Sequence, residues 1–210
     1  HLDTAKTGLM QGKKGLVMGV ANDRSIGWGI AAAAAGQGAE LAFTYQGDAL
    51  KKRVNPLAES VGSNIVLPCD VTDEVSVDLV FNSLKEKWGK LDFLVHAIAY
   101  SDKEELKGGY VDTSRDNFSR TMDISVYSFT DVARRASEMM NDGGSMLTLT
   151  YYGAERVMPR HRRLSAPHQL GVSQLRPLPD ERGRRIPADV WRSRCGGCRL
   201  RAGGEHGSSG

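Results

Sequence analysis

The stretch GVANDRSIGWGI, residues 19–30, gathers three glycines around one serine. Gly19, Gly27 and Gly29 let another group come close to the backbone, and Ser25 stands where it can cap a helix beginning at Ile26. The N-terminal amides and dipole of such a helix suit a pyrophosphate, so the stretch is a candidate phosphate turn, although it departs from the standard GxGxxG spacing. Further on, FTYQGD sets Gln46, and shortly after it Asp48, behind an apolar run. A neutral amide there bonds a ribose diol and does not repel a 2′-phosphate; Lys51, Lys52 and Arg53 read as a solvated helix face. Asp70 ends another apolar run and can accept from an adenine amino group, with Val71 against the ring, or serve the fold alone as a turn or N-cap carboxylate.

Two later stretches add to the set. In HAIAYSD, residues 96–102, the small side chains of Ala97 and Ala99 let a ribose lie along the backbone. His96, within an apolar run, reads as a hydrogen-bonded core histidine. Tyr151 and Tyr152 close a fifth apolar run, and a phenol beside a nicotinamide can stabilise an oxyanion or deliver a proton. Adjacent strand residues face opposite ways, so at most one of the two does so.

These positions need a scaffold, and the chain supplies one in a regular order. GLVMGV (15–20), ELAFTYQ (40–46), NIVLPCD (64–70), LDFLVHAIAY (91–100) and SMLTLTYY (145–152) are short apolar runs separated by helical patterns. Val77, Val80, Phe81, Leu84 and Trp88 recur at helical spacing before the fourth run. Phe118, Met122, Val126, Phe129, Val132, Ala136 and Met140 do so before the fifth. Strands buried on both sides and alternating with helices imply an α/β fold with a parallel, doubly wound Rossmann-type sheet, helices on both faces, in a single domain. Ligands of such folds bind beyond the carboxyl ends of the strands, where the residues above fall.

Composition bounds the rest. The 210 residues are 40% hydrophobic, enough for one full core, and no apolar run is long enough to span a bilayer. The N-terminal HLDTAKTGLMQGKKG lacks the apolar centre of a secretory signal, so the sequence reads as cytoplasmic. Three cysteines argue against a disulfide framework, and Cys69 reads as a reduced core thiol. The net charge of +3 conceals an asymmetry: residues 160–210 hold 11 Arg, no Lys and 4 acids, a net +7, which leaves 17 bases against 21 acids before them, a net −4.

GVANDRSIGWGIA, GAELAFTYQGDAL, VLPCDV, LDFLVHAIAYSD, DISVYSF and LTLTYYGAERVMP together resemble the successive signatures of bacterial enoyl-acyl-carrier-protein reductases. These form the NADH-dependent branch of the short-chain dehydrogenase/reductase superfamily. The resemblance runs from about residue 8 to 159. It implies reduction of the trans-2 double bond of an acyl-carrier-protein-bound enoyl thioester in fatty acid elongation, a homotetramer, and NADH as hydride donor, NADPH being left open by charge. It further implies cofactor contacts at Gly19, Ser25, Ile26, Gln46, Asp70, Val71 and Ile98, a substrate contact at Ser101, and a conserved tyrosine at Tyr151. Ala99 stands where the family usually has glycine. The family's catalytic tyrosine and lysine are expected at 161 and 168, where this chain has His161 and His168.

Residues 8–159 therefore read as the dinucleotide-binding domain and 160–210 as an anomalous Arg/Pro/Gly-rich segment in place of the family's catalytic helix and substrate loop. Pro167, Pro177, Pro179 and Pro187 oppose a long helix, and Trp191 is its one aromatic residue. Its composition is that expected of an out-of-frame reading of a GC-rich gene. The arginines lack interleaved aromatics and an amphipathic period, so neither nucleic acid nor membrane is expected as a partner. The Cys195 and Cys198 pair has no second half, and no metal site is expected. Two alternatives stay open: a truncated dinucleotide-binding protein without turnover, and a short-chain reductase of another carbonyl substrate.

Overall fold

The computed structural model describes residues 8–106 and 110–150. Five strands, β1 (Lys14–Met18), β2 (Glu40–Tyr45), β3 (Ile65–Pro68), β4 (Leu91–His96) and β5 (Met140–Thr148), form one sheet in the order β3-β2-β1-β4-β5. All four pairings are parallel. The helices between them are α1 (Ile26–Gly36), α2 (Gly47–Ser60), α3 (Glu74–Trp88), α4 (Arg115–Met122) and α5 (Ser128–Met139). The expected α/β architecture is thus present, and the chain reverses its direction of strand addition between β3 and β4. That reversal opens a crevice at the carboxyl ends of β1 and β4.

Strand alternation sends neighbouring residues to opposite faces. Leu16 and Met18 join Ala42 and Leu94 against Val77, Val80 and Leu84 of α3 and Val132 and Ala136 of α5. Val17 joins Phe43 and Val95 on the other face, against Ala31 of α1 and Val54 and Ala58 of α2. Burial on both faces explains why these strands are nearly continuous apolar runs. The alanines 31–35 give α1 high helix propensity and a thin profile close to the sheet. Asp73 starts α3 by accepting from Val75 N at 3.0 Å, and Ser114 starts α4 by accepting from Asn117 N at 3.1 Å.

Two boundaries differ from the sequence expectation for a physical reason. The fourth apolar run was expected to remain a strand through Tyr100, yet β4 stops at His96. Its neighbours end there too: His96 pairs with Met18 on one side and Thr148 on the other, and Ala97 N makes a last bond to Met18 O. Past that row no ladder partner remains, so Ala97–Tyr100 leaves the sheet. The fifth strand begins at Met140 rather than 145, directly from the end of α5.

The helical region before β5 also departs from its expected apolar stripe. Between α4 and α5 the turn widens into a π-helix at Asp123–Tyr127. Phe118, Met122 and Val126 are only half-buried, while Asn117, Thr121, Ser125 and Ser128 are buried. The reason lies in what this face covers: the polar loop after β4, whose backbone groups need partners.

Candidate functional site

The crevice begins with the turn after β1. Gly19 has φ +89°, and a Cβ there would lie 2.1 Å from Ala97 O. A glycine is required because the ends of β1 and β4 touch through their backbones. Gly27 packs more loosely, its virtual Cβ 3.2 Å from that of Ala97, and Gly29 faces open space. Asn22 shapes the turn: its Oδ1 accepts from Arg24 N at 2.9 Å, and its carbonyl accepts from the Ser25 hydroxyl at 2.6 Å. Ser25 holds the N-cap position of α1 but does not cap it with its side chain, contrary to the sequence expectation. No acidic residue stands in the first turn of α1. Its leading amides are therefore left by Ser25 for another acceptor.

At the tip of β2, Gln46 Nε2 donates to Asp70 Oδ2, at the tip of β3, over 2.8 Å. The other oxygen, Asp70 Oδ1, accepts from Thr72 N at 2.9 Å and Thr72 Oγ1 at 2.7 Å. Burial pushes the Asp70 carboxyl up, but the bonds from Thr72 and Gln46 and the charge of Arg120 outweigh it and hold the group below the ordinary carboxylate range. It is ionised at neutral pH. Arg120 lies 4.9 Å over the Tyr100 ring, and Lys51 lies 5.9 Å over the Tyr45 ring.

The loop after β4 forms the opposite wall, fixed by the polar face of α4 and the π-turn. Ser125 Oγ accepts from Tyr100 N at 2.9 Å and donates to Tyr100 O at 3.1 Å. Asn117 Oδ1 accepts from Asp102 N at 3.0 Å and from Thr121 Oγ1 at 3.3 Å. Beneath them His96, 1% exposed, meets Ser128 Oγ at 2.8 Å, in accord with its structural reading. π-bulges recur where a helix must present side chains to a site, and here the widened turn presents Ser125 to the loop.

Together these elements enclose a cavity of about 210 Å³. Gly19, Gln46, Asp70, Val71 and Ile98 line it, so five of the seven residues singled out for cofactor contacts converge. Ser25 and Ile26 stand outside the lining at the start of α1, with Ile26 exposed. Ser101 is half-buried in the loop and also outside the lining, whereas Ala97 and Ala99 are part of it. Tyr151, His161, His168 and the boundary expected at 159 lie outside the described residues. Sequence reasoning missed Tyr45, Leu50, Tyr100 and Ile124 as wall residues. Each lies inside a quoted family block, Tyr45 and Leu50 in GAELAFTYQGDAL, Tyr100 in LDFLVHAIAYSD and Ile124 in DISVYSF, and that was the signal available for them. Cys69 is buried and also lines the cavity; burial first, then the Asp70 charge, pushes its thiol up to about 12.

Among the described residues no cluster of His, Cys, Asp and Glu suited to a metal ion occurs, and no helix is long and apolar enough to cross a membrane. A parallel sheet of order 3-2-1-4-5, with a glycine turn, an amide and a carboxylate around the crevice at its reversal point, defines a Rossmann-type protein with its crevice where such folds bind ligands.

Comparison with known proteins narrows this class. Residues 19–175 match the family model described as enoyl-(acyl carrier protein) reductase. The chain is 68% identical over 155 residues to enoyl-[acyl-carrier-protein] reductase [NADH] 1 of Rhizobium meliloti, covering 74% of this chain and 57% of that protein. To the second such reductase of the same organism it is 67% identical over 154 residues, covering 73% and 58%. The crystal structure of the Anaplasma phagocytophilum enoyl-(acyl-carrier-protein) reductase in complex with NAD superposes with a TM-score of 0.78 at 53% identity, covering 81% of this chain and 66% of that one. The chain belongs to the enoyl-(acyl carrier protein) reductase family. It spans less than three fifths of the length of the two Rhizobium relatives.

Proposed function

We propose that the protein is an NADH-dependent reductase of the trans-2 double bond of enoyl thioesters carried on acyl carrier protein, acting in fatty acid elongation. The observation that carries this reading is the convergence of Gly19, Gln46, Asp70, Val71 and Ile98 on one cavity at the sheet's reversal point, in a chain 68% identical to a reductase of that name. A dinucleotide fits the groups present. The first turn of α1 carries no acid, and Ser25 leaves its amides to an anion. A cavity of about 210 Å³ is smaller than a typical cofactor site of roughly 300–1,000 Å³, so part of a dinucleotide would be held outside it, by Ser25 and Ile26 at the start of α1.

On this reading the Gly19 turn, with Ser25 and Ile26, holds the pyrophosphate; Gln46 bonds the adenosine ribose, Asp70 the adenine amino group, and Val71 packs on its ring. Ile98 supports the nicotinamide and Ser101 touches the substrate. When bound, NADH supplies the hydride that goes to the β-carbon of the thioester. Tyr151 is the candidate phenol of this chain for the charge that builds on the thioester oxygen. The family setting adds a homotetramer and a cytoplasmic location.

A second reading is a dinucleotide-binding protein without turnover, favoured by His161 and His168 where the family pattern calls for tyrosine and lysine. Crotonyl thioester, the full chain and NADH, followed at the cofactor's absorbance, separate the two. A fall in absorbance supports reduction. Quenching of protein fluorescence by NADH with no absorbance change supports binding alone, and neither signal defeats both.

A further inference from the structure

A neutral amide at the ribose position is in principle indifferent to a 2′-phosphate, because it carries one donor end and one acceptor end. In this chain the indifference is removed by a neighbour. Asp70 is ionised, and an ionised carboxylate only accepts hydrogen bonds. The end of the Gln46 amide that faces it must therefore be Nε2, as the 2.8 Å contact to Asp70 Oδ2 has it. Asp70 cannot turn to accommodate the reverse orientation, since its second oxygen is held by Thr72 N and Thr72 Oγ1. Its backbone N–H, in turn, donates to Ser76 Oγ at 2.9 Å, anchoring the tip of β3 to α3. The carbonyl Oε1 is then the end of Gln46 directed away from Asp70.

We infer that Asp70 is a positioning residue that fixes the Gln46 amide with its acceptor outward and so makes the site select a ribose hydroxyl over a ribose phosphate. The inference rests on the dinucleotide reading above and sharpens it. A 2′-hydroxyl can donate to Oε1. A 2′-phosphate has acceptors only, so it meets a carbonyl oxygen with the Asp70 carboxylate close behind it. Lys51, Lys52 and Arg53, exposed on α2, attract phosphate in a general way, with Asp48 opposing them on the same helix. Lys51 is drawn to the Tyr45 ring. None of these sets the direction of the amide.

The substitution D70N tests this with little change of shape. Its side-chain oxygen keeps the two bonds from Thr72, and its nitrogen faces Gln46. The Gln46 amide must then present Oε1 to that nitrogen and turn Nε2 outward, a donor where an acceptor stood. Dissociation constants for NADH and NADPH are measured by fluorescence titration on the full chain, as wild type, D70N, Q46M and the double variant. The wild type binds NADH more tightly than NADPH. D70N shifts the NADPH-to-NADH affinity ratio toward NADPH by about tenfold, the worth of one such bond gained and one lost. In the Q46M background the same substitution shifts the ratio by less than about threefold, the residue of charge removal alone. The inference is overturned if D70N weakens both cofactors alike, as loss of an adenine contact would, or if its shift is equally large with Q46M. Failure of the wild type to bind either cofactor would instead remove the dinucleotide reading, and this inference with it.

Discussion

Ser125 holds Tyr100 by both of its backbone groups, accepting from the N–H at 2.9 Å and donating to the carbonyl at 3.1 Å across 25 residues of sequence. One hydroxyl on the π-turn thus replaces the ladder partners that the chain lost when β4 ended at His96. The wall of the cavity is fixed by this contact.

S125A leaves both Tyr100 groups without that partner in a part-buried setting. The expected loss is about 1–3 kcal/mol of stability, read from urea unfolding, together with weaker NADH binding. Unchanged NADH affinity in a destabilised S125A protein would show that the wall does not depend on the clamp.

Gly19 and Gly29 belong to the same glycine-rich stretch but should respond oppositely. G19A places a Cβ 2.1 Å from Ala97 O at φ +89°, so a loss of roughly 2–4 kcal/mol is expected. G29A meets nothing within 4 Å inside α1 and should stabilise the protein by about 0.5–1 kcal/mol. Thermal melts of the two variants check the pair.

Arg135 links α5 to α3. It bonds Asp131 on its own helix and Asp78 Oδ1 across the interface at 2.5 Å, and both Arg135 and Asp131 are buried. Burial alone would raise the Asp131 carboxyl, but the bonds from Arg134 and Arg135 bring it below the ordinary range. A lowered carboxylate stabilises the fold above its unfolded pKa of about 3.9, and that stability is lost as pH falls through the folded value. Urea midpoints should therefore hold steady from neutral pH to about 5 and drop in more acid solution. R135M leaves the buried Asp131 carboxylate with the exposed Arg134 as its remaining partner, so a loss of about 3 kcal/mol is expected, with the acid drop beginning at higher pH.

Cys69 should be inert in the folded protein. With its thiol pushed up to about 12 by burial and the Asp70 charge, almost no thiolate exists at pH 8. Peptide mass spectrometry after iodoacetamide should find Cys69 unmodified in native buffer and modified in urea. Rapid native labelling would mean that the β3 tip opens readily.

Much of the fold was readable along the chain. The runs at 15–20, 40–46 and 64–70 became β1, β2 and β3 because a strand buried on both faces must be apolar throughout, a local property. Val77, Val80, Phe81 and Leu84 marked the buried face of α3 for the same reason. The reading failed where a partner distant in sequence decided the outcome. Phe118, Met122 and Val126 have a helical apolar spacing, yet the face that turns inward carries Asn117, Thr121 and Ser125, because what it covers is backbone rather than side chains. Ser25 has the residue type and position of an N-cap, but its hydroxyl donates to the Asn22 carbonyl instead.

The order of elements, the glycine turn and the family blocks are written in residue types at short spacing, and the sequence by itself determined them. Which end of the Gln46 amide faces outward, where β4 stops and what holds the loop beyond it were decided only by tertiary structure. Each depends on a hydrogen bond between groups some 24 or more residues apart: Gln46 with Asp70, Ala97 with Met18, Tyr100 with Ser125. A donor's partner is fixed by distance and direction in space, and neither is visible in the spacing of residues along a chain.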